Sequence, residues 1–176
     1  IKELFDRLAA LILLIIFTFP MLVITLIIKL TSKGPIFYKQ TRVGMDQKEF
    51  KMLKFRTMKV NAEEKNGPQW TTKNDSRCTN IGKLLRKTSL DELPQLINVL
   101  RGEMSLVGPR PERPCFVKKF SEEHRKYMLR HRVKSGMTGW AQIHGMRGDT
   151  SLRKRLIYDL YYVKKWSLAL DLWILI

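Results

Sequence analysis

The sequence predicts a small α/β domain tied to a membrane through its N-terminal helix, and three observations predict it. Residues 8–28 are almost wholly apolar, about twenty residues, which is long enough to reach across a hydrocarbon core. Two β-rich segments, 36–40 and 50–56, flank the turn sequence Gly44-Met45-Asp46-Gln47 and read as a hairpin. Apolar residues then recur at helical spacing in several later stretches. With 176 residues, one domain plus a short appendage is expected.

The apolar run sets the first division, with residues 1–33 as a membrane-inserted helix and 34–176 as a cytoplasmic-face domain. No small-residue cleavage site follows the run, so it does not read as a signal peptide. Lys29, Lys33, Lys39 and Arg42 follow it and place the downstream domain in the cytoplasm. Lys2 and Arg7 precede it and oppose export of the front end, while Pro20 near the middle would kink the helix. A spanning helix and a bent one that returns on the same side both fit these residues. Ile1 at the start and the apolar segment 167–176 at the end read as cuts within a longer chain.

Thirty-three Lys and Arg against sixteen Asp and Glu give a formal charge of +17, which points to nucleic acid, an acidic membrane surface or phosphate-bearing substrates. Nucleic acid is disfavoured, because aromatic residues are not interleaved with the basic clusters and no binding motif is present. Arg125, Lys126, Arg130, His131, Arg132 and Lys134 form a dense basic cluster expected to meet anionic lipid headgroups. Cys78 and Cys115 lack CxxC spacing, and His124, His131 and His144 are scattered, so no zinc-type site is expected.

Residues 61–80 are polar and read as a mobile loop, followed by a short basic helix over 81–87. Leu93, Leu96, Ile97 and Leu100 predict a helix stopped by Gly102, with Pro94 in its first turn. Asp91 and Glu92 then stand at its start, where free N–H groups and the macrodipole favour negative charge, and Ser89-x-x-Glu92 fits a capping box. Gly108-Pro109-Arg110-Pro111 stiffens the backbone around one guanidinium, a rigid way to aim a phosphate donor. An amphipathic helix is expected over 116–129 and a loop or short strand at 136–142. A second amphipathic helix is expected over 152–165, capped by Asp149 or Thr150. Lys164-Lys165-Trp166 reads as an interfacial anchor.

Four motifs in series, Lys54-Phe55-Arg56-Thr57-Met58, Asp91-Glu92-Leu93-Pro94-Gln95-Leu96, Val107-Gly108-Pro109-Arg110-Pro111 and Gly139-Trp140-Ala141-Gln142, resemble the bacterial sugar transferases, the monotopic polyprenyl-phosphate phosphoglycosyl transferases. The resemblance runs from about residue 4 to the end. It implies a membrane-associated α/β domain on the cytoplasmic face of the bacterial inner membrane. It also implies transfer of a sugar 1-phosphate from a UDP-sugar to polyprenyl (undecaprenyl) phosphate with release of UMP, using Mg²⁺. That reaction would be the first membrane step of exopolysaccharide, capsule or other glycoconjugate assembly. The resemblance implies Asp91 as covalent nucleophile and Glu92 as Mg²⁺ ligand, with Asp159 as further metal support. Lys54, Arg86 and Arg110 match phosphate-binding positions, and Gln142, His144 and Arg147 fall in the sugar or nucleotide neighbourhood. It further implies a re-entrant N-terminal helix broken at Pro20, although Phe19 replaces the family's neighbouring serine. Residues 143–150 resemble the variant of members acting on UDP-glucose or UDP-galactose, with His144 where many relatives carry asparagine. The start and end resemble the catalytic part of a larger member, and assembly as a homodimer is left open. The competing reading is a non-catalytic, basic, membrane-anchored binding module for anionic lipid or nucleic acid. A third keeps the enzyme but lets the lipid phosphate attack directly, with Asp91 as base or metal ligand.

Overall fold

The computed structural model describes residues 1–63, 67, 75–148 and 150–176. Helix α1 (Lys2–Thr31) runs through Pro20 as one helical element, about 45 Å of helix at 1.5 Å per residue. Both of its ends are fastened to the same body. At the front, Lys2 Nζ lies 2.5 Å from Asp171, and the buried Asp6 accepts from the Leu106 amide at 3.4 Å. At the back, the Arg56 guanidinium donates to the carbonyls of Ser32 and Lys33, both at 2.9 Å. Ala10, Ile24 and Ile28 are buried, whereas Ile15, Ile16, Phe19 and Leu22 between them are exposed. The helix thus touches the domain near its two ends and presents an apolar middle outward.

The hairpin forms as its pattern predicts: β1 (Phe37–Val43) pairs antiparallel with β2 (Glu49–Phe55), Phe37 opposite Phe55 and Val43 opposite Glu49. Asp46 and Gln47 take positive φ in the turn, and Asp is among the residues that tolerate it best. The outer edge of β2 is not left to solvent. Asn98 accepts from the Leu53 amide and donates to the Lys51 carbonyl, each at 2.9 Å, filling the place of a third strand. Asn98 lies on α3 (Gln95–Leu100), so this one amide fixes that helix against the hairpin.

Helix α2 (Asn80–Thr88) begins with Thr79 accepting from the Gly82 amide and ends at Ser89, which adopts φ 58°. A 3₁₀ turn, Leu90–Glu92, links it to α3. The capping box expected at Ser89 and Glu92 does not form. Ser89 closes α2 instead, and Pro94 is the N-cap of α3 without a side-chain bond. The reason is electrostatic: the Glu92 carboxylate is taken by Lys54 and Arg110, and full cations outcompete a single backbone N–H.

Strand β3 (Ser105–Val107) pairs in parallel with β4 (Gly136–Thr138). Their approach continues at Gly108, where a Cβ would stand 2.3 Å from the Lys134 carbonyl and 2.9 Å from the Gly136 amide. Helix α4 (Pro114–Glu123) is shorter than the expected 116–129, and a 3₁₀ segment, Tyr127–Arg132, follows it. A short α5 (Trp140–Ile143) precedes α6 (Leu152–Lys165), and α7 (Leu168–Leu175) ends the chain. Ser151 caps α6, taking the role expected of Asp149 or Thr150; Asp149 lies outside the described residues. The loop expectation for 61–80 falls largely on residues 64–66 and 68–74, which also lie outside them. The main core gathers Ala10 of α1, Leu96 and Val99 of α3, Val107 of β3, Tyr162 of α6 and Ile174 of α7.

Candidate active site

A cleft of about 430 Å³ opens between the hairpin, the 3₁₀ turn and the Pro109–Arg113 loop. Seven cations line it, Arg42, Lys54, Arg86, Arg110, Arg113, Arg147 and Arg155, against four carboxylates, Glu63, Asp91, Glu92 and Glu112. A net excess of three positive charges suits a polyanionic ligand such as a diphosphate.

The two adjacent carboxylates are treated very differently. Glu92 accepts from Lys54 Nζ at 2.9 Å and from both terminal nitrogens of Arg110, Nη1 at 3.1 Å and Nη2 closer still. Arg147 stands 4.0 Å away. Burial pushes the Glu92 carboxyl up, but Arg110 and Lys54 outweigh it and hold the group well below the usual carboxylate range. Asp91 is 5% exposed, lines the cleft, and among the described residues its carboxylate takes no hydrogen bond or ion pair. Burial raises it above the ordinary aspartate value, against the pull of Lys54 and with help from the charge of Glu92. One carboxylate is therefore committed to structure and the other is left free toward the cleft.

Arg86, at the end of α2, is oriented by a 2.8 Å bond from its Nε to Thr57 Oγ1 and lines the same cleft. Arg113 forms a two-pronged pair with Glu63 at 2.8 and 2.9 Å. Glu112 sits between the half-buried Arg42, 3.3 Å from its Nη1, and the buried Arg155, 3.0 Å from its Nη1. Burial lowers the Arg42 guanidinium to about 10 despite Glu112.

Of the residues singled out from sequence, the structure brings Asp91, Glu92, Lys54, Arg86, Arg110 and Arg147 together around this cleft. Three do not line it. Asp159 is buried behind the site in an ion pair with Arg130, 2.7 Å from its Nη2. Buried, paired with Arg130 and away from the cleft lining, Asp159 is not placed to share a metal with Glu92. Gln142 is buried and donates to the Met137 carbonyl, and His144 bonds the Trp140 carbonyl and stacks on Tyr158. The basic cluster at 125–134 is also divided: Arg130 and His131 are 3% and 5% exposed and cannot meet headgroups. Burial and the adjacent Arg130 push the His131 imidazole down to about 4. Sequence reasoning missed Arg42, Glu63, Glu112, Arg113 and Arg155 as cleft residues. Only Glu112 and Arg113 carried a signal, by following Arg110 directly in the chain.

The fold and cleft define a small α/β domain with one long apolar helix and a cleft lined mainly by cations. The chain belongs to the bacterial sugar transferase family, whose model matches residues 1–176. It is 50% identical over 153 residues to a UDP-glucose:undecaprenyl-phosphate glucose-1-phosphate transferase of Escherichia coli (strain K12), covering 85% of this chain and 33% of that protein. It is 46% identical over 173 residues to a UDP-N-acetylgalactosamine-undecaprenyl-phosphate N-acetylgalactosaminephosphotransferase of Aeromonas hydrophila, covering 97% of this chain and 41% of that protein. It is 42% identical over 183 residues to the exopolysaccharide production protein PSS of Rhizobium leguminosarum bv. phaseoli, covering 98% of this chain and 90% of that protein. The chain spans well under half the length of the first two relatives.

Proposed function

We propose that this domain transfers a hexose 1-phosphate from a UDP-sugar to undecaprenyl phosphate, releasing UMP, through a covalent intermediate on Asp91. The observation that carries the reading is the unpaired Asp91 carboxylate beside a Glu92 neutralised by Lys54 and Arg110. In the first step an Asp91 oxygen bonds to the phosphorus that bears the sugar, and the bond from that phosphorus to the bridging oxygen breaks. UMP leaves with the bridging oxygen. In the second step an oxygen of the lipid phosphate attacks the same phosphorus, the acyl phosphate bond breaks, and Asp91 is regenerated as a carboxylate. The relatives' names support the overall transfer and include both glucose and N-acetylgalactosamine donors. The glucose or galactose preference rests on the resemblance of residues 143–150 alone.

Lys54, Arg86 and Arg110 are placed to bind phosphate oxygens, and Arg147 extends the cationic wall. Among the described residues no group of three His, Cys, Asp or Glu side chains is arranged to hold a metal ion by itself. Mg²⁺ needs no such cluster, since it binds through one or two carboxylates with substrate phosphates and water. The less occupied Oε2 of Glu92 fits that requirement and would hold it together with substrate phosphates, where it would neutralise phosphate charge. The two anchored ends of α1 and its exposed apolar middle support a helix that enters the membrane without sending either end across. Lys29, Lys33, Lys39 and Arg42 after the apolar run favour the cytoplasmic face for the domain.

The test is UMP release from a panel of UDP-sugars with undecaprenyl phosphate and Mg²⁺. A radiolabelled sugar phosphate should be trapped on the protein when lipid is omitted. Rapid turnover without any trapped label would refute the covalent route, and no turnover on any UDP-sugar would refute the transferase reading.

A further inference from the structure

The loop that carries Arg110 is held through its carbonyls. Gly136 N donates to the Pro109 carbonyl at 3.0 Å, and Val43 N to the Glu112 carbonyl at 2.9 Å. Between them, two guanidiniums, one buried and one half-buried, reach in from elsewhere in the chain. Arg130 Nη2 donates to the Arg110 carbonyl at 2.7 Å, and Arg42 Nη1 to the Pro111 carbonyl at 3.0 Å. Four consecutive carbonyls, 109 to 112, are thus each engaged by a different donor. Pro109 and Pro111 have no N–H, so the loop cannot knit itself together by donating from those positions.

Arg130 makes the strongest of these attachments. Its side chain is 2% exposed, and three directions of its fork are used at once. Nε and Nη2 face Asp159 at 3.0 and 2.7 Å, Nη1 donates to the Tyr127 hydroxyl at 3.0 Å, and Nη2 reaches the Arg110 carbonyl. Asp159 is 4% exposed and fixes the plane of the guanidinium. A buried ion pair is a poor source of net stability, because the cost of desolvating both charges rivals their attraction. Its geometry is what this pair contributes. A planar fork held along its Nε–Nη2 edge by a carboxylate fixes, through the same Nη2, the carbonyl next to the Cα from which the Arg110 side chain departs toward Glu92.

We propose that Arg130, oriented by Asp159, is a positioning residue that sets the placement of Arg110 against the transferring phosphate. This rests on the transferase reading for its chemistry. Asp159 then serves the reaction at one remove, through Arg130 and the loop, and not by touching metal or substrate.

The test is a double-mutant cycle on the full chain in detergent, combining Arg130→Gln/Asp159→Asn with Arg110→Lys. The glutamine is too short to span from position 159 to the loop, and removing both charges avoids leaving one buried alone. Two readouts are taken: kcat for UMP release from UDP-glucose, and calorimetric affinity for UDP, which needs no turnover. With Arg110 present, the pair substitution should lower kcat by about tenfold to a hundredfold, the loss that misplacement by about 1 Å brings. It should also weaken UDP binding. In the Arg110→Lys background it should change either quantity by less than about twofold. An equal loss in both backgrounds would make the pair merely structural and overturn the proposal, as would an unchanged kcat and UDP affinity with Arg110 present. If the pair substitution does not fold, Arg130→Lys takes its place in the same cycle, because it keeps the charge pair but not the planar fork. A wild type that binds UDP yet releases no UMP would sink the transferase reading alone, and the UDP cycle would still decide the strap.

Discussion

Replacing Glu92 with Gln tests whether this carboxylate is the electrostatic keystone of the cleft. At an effective dielectric of about 20, two unit charges at the 2.9 Å separation of Glu92 and Lys54 attract by about 6 kcal/mol. Desolvating the ions offsets most of that in the intact pair, at several kcal/mol for each buried ion, roughly. Glu92→Gln removes only the anion. Lys54 and Arg110 then face each other across a neutral amide with no anion to balance them, a situation that costs about 3–5 kcal/mol when burial is complete. The Arg110 side chain retains 26% exposure, so the lower end, about 3 kcal/mol, is expected here. For a domain of this size that is a fall of about 6–12 °C in the thermal midpoint. The sign with pH follows from the depressed carboxyl. Its stabilisation is complete above the unfolded-chain value of 4.5 and is lost as the pH falls from there toward the lower folded value. The gap between wild type and Glu92→Gln, followed by thermal unfolding in detergent at pH 7 and at stepwise lower pH, should therefore be widest near neutrality. A variant melting within about 2 °C of wild type at pH 7 would refute the assignment of Glu92 as the group that balances these cations.

Three further outcomes are expected. Asp91→Asn should abolish turnover and covalent labelling. Because the buried carboxyl is raised above its unfolded value of 3.8, its ionisation opposes folding at neutral pH, so the same variant should melt higher than wild type at pH 7. Lys54→Met removes the largest electrostatic pull holding Asp91 down, so the acid limb of the kcat/KM profile for UMP release should move to higher pH. Gly108→Ala places a methyl 2.3 Å from the Lys134 carbonyl, where only backbone can yield, and should cost about 1–3 kcal/mol in chemical denaturation while loosening the β3–β4 pairing.

The parts of the fold set by local periodicity were legible. The apolar run became α1, the alternating segments around Gly44 became the hairpin, and the stripe at 152–165 became α6 to the residue. The cap at Ser89 was misread because a capping box looks only three residues ahead. Its competitors, Lys54 and Arg110, lie 38 and 18 residues from Glu92. Arg130 and Asp159 were misplaced for a related reason. Charged side chains are read as exposed or functional because they seldom bury, and the exception requires a partner that sequence spacing does not reveal. Their partnership spans 29 residues and ends on a backbone carbonyl, a group every residue possesses. By contrast, the cluster of cations around Asp91 was visible in part, since Arg86 and Arg110 flank it closely in the chain and Lys54 ends a recognisable strand.

The contrast between Asp91 and Glu92 follows from the local backbone. In an α-helix adjacent side chains diverge by about 100°, and in a 3₁₀ turn of three residues per turn by about 120°. The 3₁₀ turn at Leu90–Glu92 therefore separates the two carboxylates more widely than the helix predicted there would have done. Glu92 meets Lys54 from the hairpin and Arg110 from the loop, while Asp91 faces the cleft with its oxygens uncommitted. Both flanks of the turn are held: Ser89 ends α2 in the left-handed region, and Asn98 ties α3 to β2. A nucleophile placed this way loses little freedom when substrate arrives, because its backbone is already fixed and its side chain need not break an ion pair to react. The burial that raises Asp91 is the cost of that placement, and the cations lining the cleft keep it from rising further.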